Sequence, residues 1–109
     1  MTAKVRLADA FRTAREQGRA ALIAYLPAGY PTRAESIDLV RQMVRSGADI
    51  IEVGMPYSDP VMDGPVIQRA ADIALAGGTT LTDAIDVAAA AAAEGAAACV
   101  MSYWNPIER

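Results

Sequence analysis

Apolar positions along the chain follow two rhythms that take turns. Leu7, Phe11 and Ala14 recur at helical spacing and Gly18 follows as a stop, which predicts a leading amphipathic helix. Ala20 to Leu26 is a short apolar run ended by Pro27-Ala28-Gly29-Tyr30-Pro31, a strand passing into a loop. Ile37, Val40 and Val44, with Leu39 and Met43 beside them, form the buried stripe of a second helix. Thr32-Arg33-Ala34-Glu35 predicts a capping box at its start, and Gly47 a left-handed stop at its end. Ile50 to Gly54 is the second strand. Pro65 suits the first turn of a third helix, which runs to Leu75 and stops at Gly77-Gly78. Thr80-Leu81-Thr82-Asp83 opens a fourth, carried by Ile85, Val87 and a row of alanines to Gly95, and Ala97 to Tyr103 gives the third strand.

A helix therefore ends at a glycine three times, at Gly18, Gly47 and Gly95, and a strand starts shortly after each. The long loop-and-helix connections between strands suit parallel crossovers and not hairpins. The near-continuous apolar runs predict strands buried on both faces, the habit of parallel sheets in α/β folds. Periodicity alone fits either the start of a (β/α) barrel or part of a doubly wound open sheet. In both architectures the site lies at the C-terminal ends of the strands, so Tyr25, Glu52 and Tyr103-Trp104-Asn105 are expected on one rim.

Composition narrows the chemistry. With 109 residues, 53% apolar content and a net charge of −3, the chain has no basic footprint for nucleic acid. The Ala-rich run from Ala88 is broken by Glu94-Gly95 and is too weakly apolar for a membrane span. Met1 to Gly18 carries charges throughout and lacks a signal-peptide core, so a cytoplasmic location is expected. Cys99 stands alone and predicts a small buried hydrophobe in a strand. The absence of histidine removes Ser-His-Asp and Cys-His catalysis and the usual zinc ligands. Lys4, the only lysine, precedes the predicted core and is poorly placed for a Schiff base. Proton work is left to carboxylates and tyrosines.

Glu52 is the first candidate, because a carboxylate projecting from a buried strand is disfavoured unless it is paired, hydrogen-bonded or used. For an arbitrary strand glutamate, a structural pairing with arginine or backbone amides is the default. Asp63, eleven residues on, is explained equally well as an N-terminal cap ahead of Gly64 and Pro65. Asp59-Pro60 is most simply a turn, and Tyr25 and Tyr103 are as readily packing residues as ligands.

The segment from Gly47 to Gln68 changes those odds. Glu52, Gly54, Pro56, Ser58-Asp59-Pro60, Asp63-Gly64-Pro65, Ile67 and Gln68 together resemble the signature of the tryptophan synthase alpha subunit family. Leu22 to Pro31 upstream and Met101 to Pro106 downstream follow in the family's order, so the resemblance covers nearly the whole chain. It implies the N-terminal portion of a TIM (β/α)8 barrel through its third strand, with an extra N-terminal helix. Residues 1–109 would then be a single incomplete barrel domain, since a complete barrel takes about 250 residues.

The implied activity is the retro-aldol cleavage of indole-3-glycerol phosphate to indole and glyceraldehyde-3-phosphate, without a metal or organic cofactor. By that resemblance Glu52 matches the general acid/base and Asp63 the acceptor of the indole N–H. Tyr25, Met101 and Tyr103 match walls of the indole pocket. Pro56, Asp59 and Asn105 fall in segments that contact a beta subunit. The phosphate of a barrel substrate is generally held after strands seven and eight, so the 109 residues by themselves are expected to show negligible turnover. Two alternatives stay open. Another phosphate-binding barrel enzyme would be expected to carry an early catalytic lysine or metal-binding histidines, and this chain has neither. An inactive fragment would keep only beta-subunit-binding surface, through Pro56 to Met62 and Asn105-Pro106.

Overall fold

The computed structural model describes residues 3–57 and 64–102. In chain order the elements are α1 (Ala3–Glu16), β1 (Ile23–Pro27), α2 (Arg33–Arg45), β2 (Ile50–Gly54), α3 (Pro65–Ala76), α4 (Leu81–Ala93) and β3 (Ala97–Met101). The strands form one parallel sheet in the order β1-β2-β3, as the long crossovers require. Tyr25 stands opposite Glu52, and Glu52 opposite Cys99.

Local signals account for the element ends. The Thr32 hydroxyl accepts from the Glu35 N–H at 3.2 Å at the start of α2. The two-way capping box forms at α4, between Thr80 and Asp83, and not at the predicted Thr32-Glu35 site. Gly47 takes φ +119° just past α2, a conformation that disfavours any residue with a Cβ. Pro65 opens α3 at the position where a missing N–H leaves nothing unpaired.

Side chains alternate across the sheet, and the helices choose one side of it. Leu26, Ile51 and Val53 form a buried core with Val40 of α2 and Ala84, Val87 and Ala91 of α4. The alanines of α4 permit this close approach. The two helices are tied at both ends: Arg33 reaches Asp83 at 3.2 Å and Asp86 at 2.9 Å, and Arg45 reaches Glu94 at 2.8 Å. At the N-terminal end of the sheet, Ala14 of α1, Ile50 and Ala97 are buried, and Arg6 donates to the Ala92 carbonyl at 2.8 Å.

The expected burial on both faces holds for β2 alone. Ile23, Val100 and Met101 are 48%, 38% and 45% exposed, because β1 and β3 are sheet edges and α2 and α4 cover one side. Cys99 is likewise exposed, not the buried hydrophobe its apolar run suggested. The strand limits shift as well: β1 begins at Ile23 and takes in Pro27, and Ser102 lies beyond the end of β3. Among the described residues no single helix is long and apolar enough to cross a membrane.

Candidate active site

The face turned away from α2 and α4 carries Tyr25, Glu52 and Cys99 on one rung and Pro27, Gly54 and Met101 on the next. Adjacent parallel strands lie about 5 Å apart, so Glu52 has Tyr25 on one neighbouring strand and Cys99 on the other. Tyr25 and Glu52 are both half-buried. The Cys99 thiol is held above its ordinary range, first by partial burial of the sulfur and then by the Glu52 carboxylate. A polar group thus stands in the middle of β2, the one strand with a neighbour on either side.

Backbone bonds extend this ladder past the strands. The Ala28 N–H donates to the Gly54 carbonyl and the Met55 N–H to the Met101 carbonyl, each at 2.8 Å. The chain leaving β1 is fixed further by Ser36, which is fully buried in α2. Its hydroxyl accepts from the Gly29 N–H at 3.1 Å and donates to the Arg33 carbonyl at 2.8 Å. Gly29 has φ +83°, and a Cβ there would overlap the Thr79 side chain in the α3–α4 turn. Beside this rim an open cavity of about 490 Å³ is lined by Tyr25, Pro27 and Tyr30 together with Ile67, Arg69 and Ile73 of α3.

The opposite end of the sheet is built for stability. Arg19 grips both oxygens of Asp49 at 2.8 and 2.9 Å, and the Leu22 N–H donates to Asp49 at 2.8 Å. The Arg19 hydrogen bonds, then that of Leu22, lower the Asp49 carboxyl to about 2. Among the described residues no comparable arginine grip is present on Glu52.

Of the sequence-predicted residues, Tyr25, Glu52 and Met101 come together on one face of the sheet. Pro56 is buried at the root of the loop after β2. Asp59, Asp63, Tyr103 and Asn105 lie outside the described residues. The N-cap of α3 is Gly64, which makes no side-chain cap bond, and the alternative reading of Asp63 as a helix cap lies outside the described residues with that side chain. Among the described residues, no three His, Cys, Asp or Glu side chains are grouped to hold a metal. Sequence reasoning missed one neighbour of Glu52, Cys99, which a strand register counted from Ile50 and Ala97 would have placed; Gly54, which the sequence marks only as part of the family signature, lies on the same face one rung on.

Comparison with known proteins is consistent over the whole length. The family model described as "Tryptophan synthase alpha chain" matches residues 11–109. A tryptophan synthase alpha chain of Thermobifida fusca is 64% identical over 96 residues, covering 88% of this chain and 36% of its own length. One from Nocardia farcinica is 59% identical over 109 residues, covering 100% of this chain and 41% of its own. The chain thus spans about two fifths of the curated relatives it matches. A crystal structure of tryptophan synthase from M. tuberculosis in an aminoacrylate-bound form superposes with a TM-score of 0.92 at 50% identity, covering 95% of this chain and 42% of that one. The parallel sheet and its helices correspond to the N-terminal part of a TIM barrel.

Proposed function

The chain belongs to the tryptophan synthase alpha chain family, and from that premise we propose that a full-length protein carrying these residues cleaves indole-3-glycerol phosphate into indole and glyceraldehyde-3-phosphate. The observation that carries the proposal for the site is the alignment of Tyr25 and Glu52 on one rung of the open sheet face, with Met101 one rung nearer the C-terminal rim.

The reaction needs one proton delivered and one removed. C3 of the indole gains a proton, the bond from C3 to the glycerol side chain breaks, and the hydroxyl on that carbon gives up its proton to become the aldehyde. Glu52 is the group for both transfers, half-buried and at the middle of the sheet. Asp63 accepts the indole N–H. A carboxylate in that place stabilises the positive charge that grows on the ring as C3 is protonated, a benefit larger in the transition state than in the ground state. Tyr25, Met101 and Tyr103 wall the indole. No metal or organic cofactor is required for these steps.

In the same reading residues 1–109 are a single incomplete barrel domain of a cytoplasmic enzyme. Pro56, Asp59 and Asn105 belong to its surface for a beta subunit, with the buried Pro56 shaping the root of the loop. The 109 residues alone are inert as a lyase and retain at most that binding surface, because the face bearing Glu52 is open along both sheet edges.

The test is Glu52→Gln in the full-length protein, which keeps size and removes the transferable proton. Indole release should fall by about 10²- to 10⁴-fold. Activity within a few-fold of wild type would overturn the acid/base assignment. Parallel assay of the 109-residue chain should give no indole above background, and turnover comparable to the full-length protein would overturn the inert-fragment reading.

A further inference from the structure

Gly54 closes β2 on strand backbone and is not among the glycines with positive φ, so its own conformation does not call for glycine. Alanine would be the better strand residue on backbone grounds. Tyr25 is what excludes a side chain. A Cβ on Gly54 would overlap the Tyr25 hydroxyl and lie 2.7 Å from Cζ and 2.9 Å from Cε2 of the ring. Because the Tyr25 backbone is opposite Glu52 and its ring tip is over Gly54, the side chain leans from the Glu52 rung toward the C-terminal rim.

We propose that Gly54 is a specificity-determining position: its missing side chain lets the Tyr25 ring lie across the end of β2, and the ring so placed sets the room available to an aromatic substrate above Glu52. The identity of that substrate rests on the lyase reading given above. The lock between Gly54 and Tyr25 stands on geometry alone. The colliding atoms are the far end of a side chain with two torsions, so a larger residue at position 54 displaces the ring before it displaces the sheet.

The experiment is a double-mutant cycle in the full-length protein with Gly54→Ala, Tyr25→Leu and the pair, read by indole release and by melting temperature. Leucine removes Cζ, Cε2 and the hydroxyl, the atoms that a Cβ would meet. Gly54→Ala should raise KM for indole-3-glycerol phosphate about tenfold with a smaller change in kcat, the mark of a displaced binding wall. In the Tyr25→Leu background the same substitution should change neither KM nor melting temperature. An equal loss in both backgrounds, or no effect of Gly54→Ala in the wild type, would overturn the lock. Should Gly54→Ala fail to fold, recovery of folding in the double variant supports the proposal and failure to recover overturns it. A wild-type protein that releases no indole defeats the lyase reading, and the melting temperatures then decide the lock on their own.

Discussion

Ser36 shows what a single side chain holds in place here. It is buried, and its hydroxyl serves both the Gly29 N–H after β1 and the Arg33 carbonyl in α2. Ser36→Ala leaves the Gly29 N–H without its partner in the interior and should destabilise the protein by about 1–3 kcal/mol, measured by denaturant unfolding. A change below a few tenths would mean that the loop after β1 is held by other contacts. At this scale sequence reading succeeded where chemistry was unusual and failed where it was plain. Glu52 drew attention as a carboxylate amid Ile50, Ile51 and Val53. Gly54 stands in the family signature without a legible role, because its contact with Tyr25 exists only once β1 and β2 are paired in register. Ser36 was equally silent: nothing local distinguishes a serine that closes a long-range bond from one that faces water.

At the scale of elements, the helices and strands were legible because their stops are chemical. Gly47 takes the predicted positive φ, at +119°, and Gly95, predicted only as a helix end, takes one as well, at +98°. Gly47→Ala should lower stability by about 1 kcal/mol in a thermal or denaturant melt, through the backbone alone, since no neighbouring atom lies within 4 Å of a Cβ there. No loss would show that the turn relaxes freely. The capping box was predicted on the wrong helix. Thr32 and Thr80 each precede an acidic residue by three positions, yet the reciprocal bond from the side chain to the cap N–H forms at Asp83, at 2.9 Å. Threonine caps are typically worth about 1 kcal/mol. Thr80→Ala is therefore expected to cost more than Thr32→Ala, and the reverse order would show that Asp83 holds the turn without the hydroxyl. Strand burial was misjudged for a different reason: apolar runs report how a strand packs in a finished sheet, whereas β1 and β3 are edges in this one.

For the molecule as a whole, stability depends on acid through carboxylates outside the Glu52 rung. Asp49 titrates at about 2 in the folded chain against an ordinary 3.8, so its contribution is fully present above pH 3.8 and is lost as pH falls toward 2. Asp83 and Glu94 are lowered in the same direction, by the Thr80 backbone and by Arg45 respectively. Unfolding midpoints of the full-length protein should fall over that acid window, and Asp49→Asn should flatten part of the fall while lowering stability at neutral pH. An unchanged acid profile in Asp49→Asn would remove Asp49 as a source of it. The two sheet edges have their own consequence. Leu22, Ile23, Val100 and Met101 are exposed along them, so the 109 residues alone should bind an apolar dye and self-associate. A monomeric, dye-silent chain would contradict that expectation.

Cys99 offers an experimental handle on the same architecture. It is the only cysteine of these 109 residues, it is exposed, and it sits one strand spacing from Glu52. A small environment-sensitive fluorophore on its sulfur would stand next to the carboxylate without an engineered attachment point. Because the thiol is held above its ordinary range, coupling calls for mildly alkaline buffer. Once attached, the dye would turn occupancy of the rung into an optical signal, readable even in Glu52→Gln, where indole release is predicted to fall.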